Sequence, residues 1–216
     1  MSQQALYNMI EQQIRPWKPI NEKILSLLAQ IPRQDYVPNA YQKLAYADFE
    51  IPLIAGETML SPKIESAFLH LLDIKKSHKI LEIGTGSGYF TACLAHLGLF
   101  VDSWELNKTL FDLTNEKFQQ QNIHNIHLYH GNGLIDVSTT NYDLIVLTGS
   151  IYHHAPFLKE KLVIGGKMLV VIGSTPIMKT TLITRTGANA YRCENLFETV
   201  IKPLNQQLIK KKTFNF

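Results

Sequence analysis

From residue 79 onward, two kinds of hydrophobic segment alternate along the chain. Short apolar runs of strand length are followed by segments in which apolar residues recur every three or four positions, as on one face of a helix. The run Tyr142–Thr148 is apolar almost throughout, which is typical of a strand buried on both faces. This alternation predicts an α/β fold with a doubly wound, mostly parallel sheet. The seven predicted strands are Lys79–Ile83, Phe100–Leu106, Ile126–Tyr129, Tyr142–Thr148, Lys167–Ile172, Thr180–Thr186 and Ala190–Phe197.

The last two predicted strands form an antiparallel hairpin, because only Gly187–Asn189 separates them. Between the earlier strands, helical periodicity predicts a helix in each connection that is long enough to hold one. The predicted helices are Tyr89–Leu97, Asn107–Gln121 and Pro156–Leu162.

Further helices precede the first strand and predict a helical cover over the sheet. Gln3–Ile14 has apolar residues at helical spacing, and Asn21 is placed to cap a second helix. Ser61 followed by Pro62 marks the start of a third, because serine favours the cap and proline the first helical position.

Residues 41–60 have no clean period and predict irregular structure with one or two short extended pieces. A loop of this length is often functional, and the alternative is a surface wrap. The 216-residue chain predicts one domain, with helices and a loop in residues 1–60 and the α/β core in residues 61–216.

The composition is that of an ordinary globular protein, with 45% hydrophobic and 18% charged residues. A net charge of +3 does not indicate a nucleic-acid partner, and Lys210–Lys212 has the pattern of a solvated tail. Cys93 and Cys193 are far apart, which favours neither a disulfide nor a metal site. We find no signal-peptide core and no run of membrane-spanning length, so we expect a cytoplasmic protein without a membrane partner.

The glycine-rich turn Gly84–Gly88 lies between a predicted strand and a predicted helix. Glycine lets the backbone turn sharply and approach a ligand, and the N–H groups that begin the helix are free to donate. Glu105 ends the next strand about twenty residues on, where a carboxylate can accept hydrogen bonds from both hydroxyls of a ribose. The alternative for Glu105 is an ordinary charged strand end.

Two more polar segments follow predicted strands. Asn132, between Gly131 and Gly133, can bind an adenine edge through its amide, or it forms an ordinary Asn-Gly turn. Thr148 follows the fourth strand and is predicted to face the reacting end of a cofactor. Ligands bind at this edge of such sheets, so we expect these groups to lie together.

The segment Leu81–Tyr89 resembles motif I of class I S-adenosylmethionine-dependent methyltransferases. Met9–Arg15, Ile31–Pro38 and Ala45–Asp48 resemble segments of one family in particular, the protein-L-isoaspartate O-methyltransferases. The resemblance implies a seven-stranded, Rossmann-like methyltransferase fold, S-adenosylmethionine as cofactor and a carboxylate acceptor on a protein or peptide. The cofactor-binding residues that it implies are Glu82, Gly84, Thr85, Gly86, Gly88, Glu105, Leu106, Gly131, Asn132, Gly133 and Thr148.

The family usually has aspartate at the Asn132 position, and an amide can still pair with adenine. The larger departure is in the substrate loop, which reads Gly-Gln-Thr-Ile-Ser-Xaa-Pro in the family and Gly-Glu-Thr-Met-Leu-Ser-Pro in residues 56–62. Leu60 therefore takes the place of the serine to which catalysis is assigned. Ser61 is either a displaced catalytic serine or a helix cap, and we favour the cap.

A second departure follows the fourth strand, where Tyr152, His153 and His154 would change the shape of a groove for a peptide. Either histidine can act as a general base near neutral pH, although exposed loop histidines are the simpler interpretation. The predicted substrate-contacting residues are Thr58, Met59, Leu60, Ser61, His153 and His154.

Three functions therefore remain open. The protein is an isoaspartate-type O-methyltransferase, a related methyltransferase for a small molecule, or a cofactor-binding protein without catalysis. A Rossmann dehydrogenase is a distant alternative, because the turn lacks the wider Gly-Xaa-Gly-Xaa-Xaa-Gly spacing.

Overall fold

The computed structural model describes residues 3–137, 141–152 and 156–204. His153 and His154, and the C-terminal lysines, lie outside these ranges. In chain order, the helices are α1 (Gln3–Asn8), α2 (Glu22–Gln30), α3 (Pro62–Leu72), α4 (Tyr89–Leu97), α5 (Lys108–Gln120) and α6 (Pro156–Glu160). The strands are β1 (Lys79–Ile83), β2 (Phe100–Glu105), β3 (Ile126–His130), β4 (Tyr142–Leu147), β5 (Leu162–Ser174), β6 (Ile177–Arg185) and β7 (Tyr191–Glu198).

The seven strands form one sheet in the order β3-β2-β1-β4-β5-β6-β7. The first five are parallel, and β6 and β7 add an antiparallel edge. This confirms the predicted α/β fold and its mostly parallel sheet. In the register of β1, Ile83 is opposite both Trp104 of β2 and Leu147 of β4, so the carboxyl ends of the three strands meet.

Alternate residues of the central strands enter separate cores on the two faces of the sheet. Ile80 and Val146 pack in one core with the N-terminal helices, while Leu81 and Ile145 pack in the other. Helices on both faces of the sheet thus bury the central strands, which are apolar on both sides.

The N-terminal cover differs from the prediction in one detail. The predicted helix over Gln3–Ile14 is α-helical only to Asn8, and Met9–Ile14 forms a wider π-helical turn. The wider turn aligns residues five apart, and Met9 and Ile14 are both fully buried. Asn21 caps α2 as predicted, since its side-chain oxygen accepts from the backbone N–H of Ile24 at 3.0 Å.

Residues 33–60 consist of short 3₁₀ turns and one small bridge, between Pro52 and Thr58. Arg33 is fully buried and organises this segment. Its guanidinium donates to the carbonyl oxygens of Ala45 at 2.8 Å and Leu60 at 2.6 Å, and to the Glu65 carboxylate at 3.0 Å. The loop is therefore tied to α3 through one side chain.

The prediction for β5 was too short by five residues at its start. The predicted strand begins at Lys167, directly after the pair Gly165 and Gly166, but this pair lies inside β5. A Cβ on Gly166 would lie 3.0 Å from the carbonyl oxygen of Asp143 in β4. Glycine here permits close contact between two strands, at the irregularity in their register.

Candidate active site

A cavity of about 320 Å³ lies at the carboxyl ends of β1, β2, β3 and β4. This is the edge at which ligands bind in open α/β sheets. Predicted site residues supply much of its wall: Thr58, Leu60, Gly84, Gly86, Glu105, Leu106, Gly131, Asn132, Gly133 and Thr148. The structure thus brings together residues that are up to 90 positions apart in the sequence.

The glycine-rich turn forms the floor of the cavity. Gly84 has φ +100° and lies against the Thr148 hydroxyl, and a Cβ on Gly84 would approach that oxygen to 2.3 Å. Gly88 has φ +83°, and a Cβ there would lie 2.6 Å from a methyl carbon of Thr114 on α5. Gly84 therefore lets the turn pack closely against Thr148 at the cavity wall, while Gly88 is needed for packing against α5 and does not line the cavity.

Glu82 lies beneath the turn and is fully buried. Its Oε2 accepts hydrogen bonds from the hydroxyls of Thr91 on α4 at 2.5 Å and Ser103 on β2 at 2.6 Å. Burial raises the pKa of the Glu82 carboxyl to about 8, against these two bonds. Glu82 and Thr85, whose hydroxyl lies 2.6 Å from that of Ser103, are absent from the cavity wall and support the turn from below.

Glu105 positions the turn and faces the cavity at the same time. Its Oε2 accepts from the backbone N–H of Gly86 and its Oε1 from that of Asn107, both at 2.8 Å. Burial raises the pKa of this carboxyl, and the two N–H donors oppose the increase. Each carboxylate oxygen has a second lone pair, so both can still accept from a ligand hydroxyl.

Asn132 has a buried donor, Nδ2, that is unpaired among the residues the structure describes. Its Oδ1 accepts from the backbone N–H of Leu134 at 3.1 Å, while Nδ2 is buried and has no hydrogen-bond partner within the described residues. An unsatisfied buried amide is costly unless a ligand pairs with it. The Asn-Gly turn and the ligand contact are thus compatible, because Oδ1 accepts a hydrogen bond within the turn and Nδ2 is left to donate to a ligand.

Thr148 holds the floor of the cavity. Its hydroxyl donates to the carbonyl oxygen of Gly84 at 2.5 Å, which joins the ends of β4 and β1. With its hydroxyl used in this way, Thr148 contributes mainly shape to the wall.

In the predicted substrate loop, the side chain at position 60 lines the cavity and the one at position 61 does not. Leu60 is part of the wall, whereas Ser61 and Met59 are not. Ser61 occupies the cap position of α3 with Pro62 at the first helical position, as predicted, but its hydroxyl makes no capping hydrogen bond. The placement of Ser61 away from the cavity counts against a catalytic role for it.

Other wall residues were missed from the sequence, including Trp104 on β2, Leu110 on α5, and Lys202 and Leu204 near the end of the described chain. The Lys202 ammonium lies 2.8 Å from a carboxylate oxygen of Glu57 and 2.6 Å from the carbonyl oxygen of Gly56. No motif marks Lys202, because it reaches the site through a tertiary contact of residues 201–204 with Ser150.

The described residues contain no group of three His, Cys, Asp or Glu side chains that could hold a metal ion. Within the same ranges, no helix has the length and apolarity required to cross a bilayer. Tyr152 is about half exposed and is not part of the cavity wall.

A family model for protein-L-isoaspartate(D-aspartate) O-methyltransferase matches residues 4–208. The chain is similar to the protein-L-isoaspartate O-methyltransferase of Dictyoglomus thermophilum, with 34% identity over 185 residues, 85% of this chain and 84% of the relative. It is also similar to the enzyme of that name from Flavobacterium johnsoniae, with 33% identity over 187 residues, 84% of this chain and 86% of the relative.

Among solved structures, a Plasmodium falciparum chain assigned to protein-L-isoaspartate O-methyltransferase, in complex with S-adenosyl-L-homocysteine, superposes with a TM-score of 0.78. The match covers 94% of this chain and 97% of that one at 19% identity, so it establishes the shared fold. The family model spans nearly the whole chain, and the relatives match at 33–34% identity over most of their length. The chain belongs to the protein-L-isoaspartate (D-aspartate) O-methyltransferase family.

Proposed function

We propose that the protein transfers the methyl group of S-adenosylmethionine to the free carboxylate of an isoaspartyl residue in a protein or peptide. The observation that carries this proposal is the order of groups along the cavity. The amide of Asn132 follows β3, the carboxylate of Glu105 ends β2, and the open turn at Gly84 follows β1. Adenine, ribose and methionine occur in the same order in the cofactor.

The residues of the cavity fit this cofactor on three counts. The buried Nδ2 of Asn132 has no acceptor among residues 3–137, 141–152 and 156–204, and the ring nitrogens of adenine are acceptors. The Glu105 oxygens keep lone pairs for ribose hydroxyls. Gly84 brings the backbone of the turn to the cavity wall without a side chain, where a Cβ would clash with the Thr148 hydroxyl at 2.3 Å.

When bound, S-adenosylmethionine supplies an activated methyl group on a sulfonium. An acceptor carboxylate is ionised at neutral pH, so this chain needs no general base. A carboxylate oxygen forms the new C–O bond as the C–S bond breaks, which leaves a methyl ester and S-adenosylhomocysteine, and no proton moves. The residues of the cavity contribute alignment and exclusion of water, and a leucine at position 60 is compatible with both.

A second candidate is methyl transfer to a small molecule, and one observation favours it. Leu60 presents an apolar side chain to the cavity where the family has a serine. An apolar wall would suit a less polar acceptor better than a peptide carboxylate. Cofactor binding without turnover is the remaining alternative.

Labelled S-adenosylmethionine and an isoaspartyl peptide test the proposal, with the normal aspartyl peptide of the same sequence as the control substrate. We expect base-labile methyl ester on the isoaspartyl peptide alone. Glu105→Gln should reduce turnover, whereas Glu116→Gln, on the exposed side of α5, should leave it unchanged. Binding of S-adenosylhomocysteine without ester formation would reject the isoaspartyl acceptor and leave the other two candidates.

We also propose that the protein acts in the cytosol, because Cys93 and Cys193 are both free thiols. Recovery of the protein in a membrane or exported fraction of fractionated cells would contradict this location.

A further inference from the structure

Lys202 carries the only positive charge on the described part of the cavity wall, which also holds the carboxylates of Glu57 and Glu105. Its ammonium already binds one carboxylate, that of Glu57, and the carbonyl oxygen of Gly56. The ammonium of Lys202 is therefore within reach of a carboxylate at the cavity wall. The family loop has an uncharged glutamine at the Glu57 position, so this ion pair is a departure from the family loop.

The backbone is fixed at both residues of the pair, so the exchange that we consider involves their side chains. The backbone around Lys202 is fixed, because the N–H of Ser150 donates to its carbonyl oxygen and the N–H of Leu204 donates to that of Ser150, both at 2.9 Å. Ser150 is fully buried and close behind β4. Lys202 thus projects from a rigid support beside the sheet.

The backbone of Glu57 accepts from the N–H of Leu53 at 2.7 Å and donates to the carbonyl oxygen of Ile54 at 3.1 Å. Glu57 follows a single 3₁₀ turn in which Ala55 adopts a left-handed conformation with φ +55°. The side chains of Lys202 and Glu57 are 37% and 41% exposed. An ion pair with this exposure contributes little to stability, so another carboxylate can displace Glu57 without a large cost.

The position of Lys202 indicates which part of a ligand it meets. The neighbouring Leu204 packs against Gly84 and Gly149, at the ends of β1 and β4. Asn132 and Glu105 lie across the cavity, after β3 and on β2. A nucleoside bound on that side directs the reacting end of the cofactor, and the acceptor, toward Lys202. Both the methionine part of the cofactor and the acceptor end in a carboxylate.

We propose that Lys202 is a carboxylate-binding residue, and that a ligand carboxylate replaces Glu57 on its ammonium when the site fills. The inference rests on the proposed function for the identity of the ligand. The carboxylate has two sources, the methionine part of the cofactor and the acceptor, which separate binding measurements distinguish.

The first measurement uses calorimetry with S-adenosylhomocysteine and with 5′-methylthioadenosine, which lacks the amino-acid part. If the cofactor carboxylate binds Lys202, Lys202→Met weakens S-adenosylhomocysteine roughly tenfold and leaves 5′-methylthioadenosine unchanged. Glu57→Gln removes the internal competitor and should tighten S-adenosylhomocysteine by about two- to fivefold. Lys179→Met, at an exposed position of β6, is the matched control.

The second measurement uses protein saturated with S-adenosylhomocysteine and an isoaspartyl peptide, compared with the same peptide bearing an amide in place of the free carboxylate. If the acceptor carboxylate binds Lys202, Lys202→Met weakens only the acid peptide, again roughly tenfold. Failure of the wild type to bind or methylate the peptide would contradict the proposed function. The role of Lys202 would then be decided by the comparison of S-adenosylhomocysteine with 5′-methylthioadenosine alone. Unchanged affinities in both measurements would overturn it.

Discussion

At the scale of single residues, Asn132 and Leu60 determine what opposite sides of the cavity can bind. Asn132 directs its oxygen to the backbone of Leu134, and its Nδ2 has no partner in the part of the chain that the structure describes. The side chain therefore offers a ligand only a donor, whereas an aspartate at this position offers only acceptors. Leu60 offers neither a donor nor an acceptor.

Replacement of Asn132 by leucine keeps the volume of the side chain but removes the Nδ2 donor, together with the Oδ1 acceptor of the Leu134 N–H, and should weaken cofactor binding. We expect the Kd for S-adenosylhomocysteine to rise about three- to tenfold, measured by calorimetry. Asn107→Leu is unsuitable as a comparison because Asn107 caps α5, so Asn195→Leu on β7 serves as the control. Equal affinity of Asn132→Leu and wild type would show that the amide does not contact the ligand.

Replacement of Leu60 by serine should raise the rate of methyl transfer to an isoaspartyl peptide. The new hydroxyl would face the cavity and can hydrogen-bond the acceptor, which is worth about two- to tenfold in kcat/KM. Leu60 is 8% exposed, so the change should also cost about 2–4 kcal/mol of unfolding free energy.

Leu60→Ala separates the hydroxyl from the loss of volume. It should destabilise the fold to a similar degree without the gain in activity. If both variants gained activity equally, the effect would come from space in the cavity, and a small-molecule or bulkier acceptor would be favoured.

At the scale of elements, strands β1 and β4 were predicted well because strands buried on both faces have nearly continuous apolar sequences. The predicted bounds of β1 and α4 match the structure, and those of β4 differ by one residue. The start of β5 was wrong, because a glycine pair looks the same in sequence whether it ends a strand or permits close contact within one. The contacts of Gly166 with β4 exist only in the folded sheet.

Contacts that form only in the folded protein also limited the prediction of the candidate site. The glycine turn, Glu105 and Asn132 could be predicted because each directly follows or ends a strand. Lys202 and Leu204 could not, since they reach the cavity through pairing with Ser150, about 50 residues earlier in the chain. The roles of Glu82 and Gly88 below the cavity also depend on packing that the motif does not reveal.

Arg33 connects the N-terminal segment to α3, and its removal should strongly destabilise the protein. Arg33→Met would leave the buried Glu65 without its ion-pair partner and the carbonyl oxygens of Ala45 and Leu60 without their donor. We expect a loss of about 3–5 kcal/mol in urea denaturation.

The double variant Arg33→Met/Glu65→Met should be less destabilised than Arg33→Met, because no lone carboxyl remains buried. Lys63→Met breaks the more exposed pair with Asp48 and should cost at most about 1 kcal/mol. Equal losses for Lys63→Met and Arg33→Met would contradict the special role of the buried pair.

At the scale of the whole molecule, one sheet with a core on each face unites the N-terminal cover and the α/β layers. The division into residues 1–60 and 61–216 stays a prediction, although Arg33 and α3 show how closely the two parts interact. Burial of the Glu82 carboxyl at the centre of the fold costs folding free energy. This carboxyl is fully buried, its Oε1 has no hydrogen-bond partner within the described residues, and no cation pairs with it there.

This burial makes the global stability depend on pH. The folded-state pKa of Glu82, about 8, exceeds the unfolded value of about 4.3. Between these values the folded state binds more protons than the unfolded state, so the unfolding free energy falls as pH rises and levels off above the folded pKa.

Glu82→Gln cannot ionise and removes this contribution, so from pH 5 to 9 its stability should rise relative to wild type by about 3–5 kcal/mol. Urea denaturation followed by circular dichroism measures this difference, in which the other titrating groups cancel. Glu116→Gln, which is exposed, should show no such trend, and parallel curves for Glu82→Gln and wild type would mean that the Glu82 pKa is the same in the folded and unfolded chains.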